Sequence, residues 1–304
     1  MAVAETDIAR KVVQRASSGE RSRDLLFRSS LMLCLFIAVI FLGVLLVDVA
    51  ADGVGFLSLE FLTSFPSRID PQSSGIQSAL LGTLYLMGLC ALFIVPIGVA
   101  SAVYLEEYAD NERWYNRLIE VNIQNLASVP SVVYGILGLA FIVRGPIDIF
   151  GLGVGQPTLL AGALTLGLLV LPVVIIVSRE AIRAVPPSIR EGSLALGATQ
   201  WQTIWKQVLP GALPGVATGV ILALSRAIGE TAPLILVGAA AFQRFNPTLD
   251  GQFSALPIQI FNNVGEPAGV FRDLAAATII VLLVILLLMN SAAIMLRNRY
   301  EQKW

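Results

Sequence analysis

The chain has 304 residues, 56% of them hydrophobic and 13% charged, with a formal net charge of −1 and a mean hydropathy of +0.78. Soluble domains carry about 25% charged residues, so this composition points to a membrane protein, and the near-zero charge gives no footing for nucleic acid. Histidine is absent, which removes the commonest general base and metal ligand and disfavours hydrolytic or zinc chemistry.

Residues 1–28 are a polar tail with Arg10, Lys11, Arg15, Arg21, Arg23 and Arg28, and residues 29–304 read as one transmembrane domain. The apolar run Leu31–Val47 is just long enough for about 30 Å of hydrocarbon and defines a first span over 31–47. A cleaved leader ending near Val49-Ala50-Ala51 is the alternative. The run exceeds the usual ~7–15-residue core of such leaders, so a retained helix is expected. Asp48–Ser74 is an acidic loop with Pro66 and Pro71. A second span is expected over 76–104, then a short charged connection from Glu106 to Glu120. The third span, 122–143, opens with Asn125-Leu-Ala-Ser-Val-Pro-Ser-Val-Val-Tyr-Gly135. Small and helix-disturbing residues there suit either a broken helix beside a pathway or a Pro-kinked packing helix.

Arg144–Gln156 is a turn-rich loop and 158–178 a fourth span. A polar loop over 179–210 leads without a linker into a fifth span over 211–241. A loop over 242–273 and a sixth span over 274–296 follow. Cys34 and Cys90 fall in apolar runs and read as small buried hydrophobes, not a disulfide framework. Six spans put both termini on one face. That face gathers fifteen Lys/Arg against four on the other, and the richer face is expected to be cytoplasmic.

Within the long loop, Pro186-Pro187 stops the preceding helix. Ser188 with Glu191 has the spacing of a capping box, and Gly197 permits a sharp turn. A second short helix is expected from Thr199 to Val208, ending near Leu209-Pro210. Two short helices at an angle make a knob, with Ile189, Leu194, Leu196, Trp201 and Trp205 as apolar contact material.

The fifth span carries only two charges, Arg226 and Glu230, four residues apart and so on one helix face about 6 Å apart along the axis. From Gly211, Arg226 lies about 22 Å along the span, past the midplane toward the outside. Charges in a membrane helix cost at least ~2.5–3.5 kcal/mol, so both are expected to face protein or water. Arg226 is either a cation that a transported anion meets, its planar donors suiting phosphate oxygens, or half of a neutralised pair that locks the bundle. In the first reading Glu230 holds the guanidinium and tempers its charge.

Glu191-Gly192-Ser193, Gly197 and Leu209-Pro210, placed just before the fifth span, resemble the "EAA" loop of ABC importer permeases. Gly192-Ser193 stand where that family has alanines, and Gln207 where it has isoleucine. Arg226-Ala-Ile-Gly-Glu-Thr-Ala-Pro233, the segment 125–135 and Ser74-Gly-Ile-Gln-Ser-Ala-Leu-Leu-Gly-Thr83 resemble the permeases of the phosphate-specific ABC importer, the A-type transmembrane subunit in particular. The likeness runs from about residue 70 to 300, with Ser74 and Ser128 in place of glycines.

The resemblance implies an all-α membrane protein with six transmembrane helices, similar to a type I ABC importer permease, and coupling helices over 188–210. It implies Glu191, Gly192, Ser193, Leu196, Gly197 and Trp201 as contacts to an ATPase, and Arg226, Glu230 and Thr231 beside the phosphate path. Implied partners are a paralogous permease in a heterodimer, two ATPase subunits and an extracytoplasmic phosphate-binding protein, in a bacterial inner membrane. The chain has no G-x-x-x-x-G-K-[ST] loop. It is therefore expected to be non-catalytic and without a cofactor of its own, ATP and Mg being used by the partner. A permease for sulfate or molybdate, a self-sufficient secondary transporter or channel, and an intramembrane enzyme are the rival readings.

Overall fold

The computed structural model describes residues 18–110, 112–145, 156–240 and 242–300. Most of the expected N-terminal tail, most of the 144–156 loop and residues 301–304 lie outside the described residues. Among the described residues there are helices and no strands. The chain divides into two units after Ala51. The described part of the first is one helix, α1 (Ser18–Gly53), which contains the expected first span and reaches two residues into the second unit.

The second unit opens with a short helix, α2 (Leu59–Thr63), whose first turn is capped by the Ser58 hydroxyl accepting from the Phe61 amide at 3.1 Å. Then come α3 (Gln77–Val103), α4 (Trp114–Ala127), α5 (Ser131–Leu137), α6 (Leu159–Arg183), α7 (Pro187–Ala195), α8 (Gln200–Thr203), α9 (Leu209–Ile228), α10 (Ala232–Val237), α11 (Leu256–Gly265) and α12 (Gly269–Tyr300). Three π turns extend helices: Tyr104–Tyr108 after α3, Gly138–Val143 after α5, and Ile204–Val208 joining α8 to α9. Among the described residues five helices are long and apolar enough to cross a membrane, or six if α4 and the α5 segment count as one.

The core of this unit is the contact of α3, α6 and α9. Leu86, Cys90 and Ile94 of α3, Leu166, Val170 and Val174 of α6, and Ala212, Val216 and Val220 of α9 recur every four residues, so each set lies along one helix face and meets the others. Membrane helices gain little from apolar burial against lipid and rely on close approach. Accordingly, a Cβ on Gly215 would come within 2.9 Å of Ala181, and one on Gly219 within 2.8 Å of Val177. The two glycines are spaced four apart on α9, like their partners on α6.

Several elements depart from the sequence expectation. The third span is not one helix: it breaks over Ser128–Pro130, and its halves meet at 104°. Proline at 130 lacks an amide donor and pushes Val129 out of the helical region, while the Tyr134 hydroxyl donates to the Leu126 carbonyl at 2.9 Å across the corner. The connection before it is shorter than expected, because the π turn carries the helix to Tyr108 and α4 begins at Trp114.

The run 211–241 is also not one helix. α9 stops at Ile228, and a separate α10 begins at Ala232. The ring of Pro233 would clash with the carbonyl four residues back, at Gly229, and that is where the helix ends. The expected loop 242–273 contains α11 and a buried crossing segment. Phe253 is fully buried and seated where Gly162 has no side chain, and the Leu256 amide donates to the Thr83 hydroxyl at 2.9 Å.

Candidate functional site

The broken helices create a cavity of about 300 Å³. The corner Ala127–Ser131 forms one wall, Leu169, Val170 and Val173 of α6 another, and Ala223, Arg226, Ala227 and Glu230 the third. Residues 169–173 lie near the middle of the 25-residue α6. Arg226 is thus level with the middle of α6.

Arg226 and Glu230 do not form the expected ion pair, nor does either pair with another described residue. Glu230 lies past the end of α9, so the helical geometry that would align the two is lost. Arg226 is exposed and Glu230 half-buried; both face the cavity. The guanidinium sits in the last turn of α9, where the helix dipole favours a cation. One residue before it, the Ser225 hydroxyl donates to Asn290 Oδ1 of α12 at 2.9 Å, which fixes that turn against the neighbouring helix. Thr231 is not among the cavity walls; its hydroxyl donates to the Gly229 carbonyl at 3.4 Å. Among the cavity walls the site thus offers one fork of five N–H donors, one carboxylate and the hydroxyls of Ser128 and Ser131.

The second candidate surface is the knob. Gly197 adopts φ +84°, which L side chains rarely take, and turns the chain between α7 and α8. The capping box is not where the sequence placed it: Pro186 occupies the N-cap of α7 with Pro187 inside the first turn, so Ser188 is already helical. A capping box does form on α8, where Thr199 and Gln202 reciprocate. The expected end at Leu209-Pro210 is absent, since the π turn carries α8 into α9.

Leu196 is 91% exposed and Trp201 60%, and Glu191 and Gly192 are exposed as well. Gly192, Ser193 and Leu196 line a cleft of about 440 Å³ with Gln202 and Lys206. Ser193 also makes a 2.9 Å hydroxyl contact with Thr203, tying α7 to α8.

Sequence reasoning passed over what holds the knob. Glu106 meets Arg183 in a two-pronged pair at 2.9 and 3.0 Å, and Arg179, with a side chain only 10% exposed, lies between Glu106 and Glu120. Glu107 accepts from Arg190 of α7 at 2.8 and 3.0 Å. The signal available was the pair of acidic residues ending an apolar run; the arginines they meet lie on α6 and α7.

Residues 94–302 match the family described as "Binding-protein-dependent transport system inner membrane component". The chain is 38% identical over 202 residues to the probable ABC transporter permease protein YqgH of Bacillus subtilis, covering 65% of this chain and 63% of that protein. It is 37% identical over 208 residues to the phosphate transport system permease protein PstA 1 of Mycobacterium tuberculosis, covering 67% and 65%. The matched part thus spans just under two thirds of the length of these two relatives. In fold it is similar to a chain of a bacterial alginate ABC transporter, with a TM-score of 0.67 at 20% identity, covering 93% of this chain and 97% of that one. A chain of the MetNI methionine ABC transporter gives 0.57 at 20% identity, covering 75% and 95%.

Proposed function

Because the chain belongs to the family of inner-membrane components of binding-protein-dependent transport systems, we propose that it is a permease subunit of an ATP-driven phosphate importer. Its all-α fold is that of type I ABC importer permeases, and relatives carry the name phosphate transport system permease protein. The observation that carries the substrate is the cavity beside the middle of α6, with a guanidinium that pairs with no described residue and a separate carboxylate. A guanidinium fork suits a tetrahedral oxyanion. A carboxylate only accepts hydrogen bonds, so it favours an anion that keeps an O–H proton, as phosphate does near neutral pH, over fully ionised sulfate.

In this reading the chain pairs with a paralogous permease that closes the open side of the cavity, receives phosphate from an extracytoplasmic binding protein, and contacts two ATPase subunits through the knob. The excess of Lys/Arg expected on one face of the membrane supports a cytoplasmic side for the knob. Energy comes from ATP and Mg held by the partner, and this chain supplies gating and no covalent step.

The test is uptake of labelled phosphate into proteoliposomes holding the complete importer. Sites built to hydrogen-bond an O–H reject analogues lacking it strongly, so an about tenfold excess of sulfate is expected to leave the rate nearly unchanged. Equal competition by sulfate assigns the path to another oxyanion, and uptake without the ATPase overturns the reading.

The knob has its own test. Exposed Leu196 buried in a partner groove is worth about 1.5–3 kcal/mol. Leu196→Asp is therefore expected to weaken retention of the ATPase during purification by about tenfold or more, with the permease still in the membrane. Undiminished retention places the contact elsewhere.

A further inference from the structure

We propose that Arg190 and Glu107 form the tether through which motion of the knob is passed to the helices of the cavity, making Arg190 a positioning residue for coupled transport. This rests on the function proposed above.

Two adjacent carboxylates at the end of α3 divide between two elements. Glu106 is held by Arg179 and Arg183 of α6, which fixes the ends of α3 and α6 to each other. Glu107 turns to the other side and holds Arg190, which lies in the first half of α7, next to Glu191. The π turn Tyr104–Tyr108 supplies this divergence at the end of the helix.

Arg190 does more than pair. Its guanidinium donates to the carbonyls of Val185 at 2.6 Å and Ile182 at 2.9 Å, the latter shared with the Val185 amide at 3.2 Å. A single side chain thus joins three elements: α7, the last turn of α6 and the end of α3. The backbone carbonyl of Glu107 in turn accepts from Gln200 Nε2 at 2.6 Å, so α8 is fixed to the same point. From Arg183 to Val173 on the cavity wall is ten residues, about 15 Å of α6, with no break in that helix. A push on the knob is therefore delivered to α3 and α6 as well as to α9.

The arrangement predicts uncoupling, not inactivity. In the complete importer in proteoliposomes, Arg190→Met keeps the apolar stem and removes the five donors. It is expected to lower phosphate transported per ATP hydrolysed by about five- to tenfold, the size of an ordinary coupling between sites, while ATP hydrolysis persists. Arg190→Lys retains a charge for Glu107 but cannot also span both carbonyls, and is expected to fall between. Should Arg190→Met not assemble, Glu107→Gln, which keeps the volume, is read in the same way and is expected to lower the same ratio.

An unchanged ratio in the assembled variants overturns the tether, as does a loss of uptake and hydrolysis in equal proportion. Wild-type vesicles that hydrolyse ATP without accumulating phosphate would overturn the proposed function instead, so the two failures are distinguishable.

Discussion

Arg226→Gln is expected to cut phosphate uptake by about one to two orders of magnitude in a complex that still assembles. A hydrogen bond to a charged group contributes about 1.5–3 kcal/mol, which is about 10- to 150-fold in affinity. Arg226 is the only cation among the cavity walls. Removing it also leaves Glu230 as the sole charge facing the anion, so the substitution both deletes the attraction and exposes a repulsion. Assembly is expected to survive, because the guanidinium makes no ion pair with a described residue and its turn is held by Ser225 and Asn290. Arg226→Lys keeps the charge without the planar fork and is expected to fall between. Phosphate uptake, with copurification of all subunits in parallel, decides it: wild-type uptake in Arg226→Gln removes this residue from the path.

The largest expected effect on folding is at Gly82. A Cβ there would sit 2.0 Å from the carbonyl oxygen of Ser254, inside any permitted contact. The crossing segment that carries Ser254 cannot retreat easily. Phe253 is fully buried beside it, the Ser78 hydroxyl donates to the Gln243 carbonyl at 2.7 Å, and the Ala240 amide donates to the Phe253 carbonyl at 2.7 Å. Overpacking a close core costs about 1–3 kcal/mol and sometimes more, and here the obstacle is backbone. Gly82→Ala is expected to lower the melting temperature of the purified permease clearly or to prevent its accumulation. Gly88, on the same helix with nothing within 4 Å of an added Cβ, is the control, and Gly88→Ala is expected to be neutral. Equal stability of the two variants would show that the crossing segment yields.

The apolar runs carried most of the helix inventory, because a stretch such as 158–178 has no other way to satisfy its backbone in lipid. What they did not carry was where a helix stops inside the layer. Gly229 and Pro233 gave the local reason for a break, but the hydropathy around them is unbroken, and it was the spacing of Arg226 and Glu230 that was read, as if on one helix. The corner at Pro130 was legible as one of two alternatives, since proline also sits inside α3, α6 and α9 at Pro96, Pro172 and Pro214.

The knob's turn at Gly197 was legible from glycine alone. Its caps were not, because Pro186-Pro187 supplied the helix start that Ser188 was expected to make. The Glu106–Arg183 and Glu107–Arg190 pairs join residues 77 and 83 positions apart, a juxtaposition that only the packing of α3 on α6 and α7 creates. The close contacts of Gly215 and Gly219 had a readable four-residue spacing, but which helix they meet was not readable.

From Gln200 to Ile228 the chain is a single 29-residue stretch of helix, roughly 43 Å at the usual rise, with Trp201 near one end and Arg226 near the other. One residue inserted along its middle would advance everything beyond it by about 1.5 Å and rotate it by about 100°. The guanidinium would then face a different neighbour with no side chain replaced. The separation between knob and cavity is therefore kept as a phase: the number of residues between them sets which way the cation points.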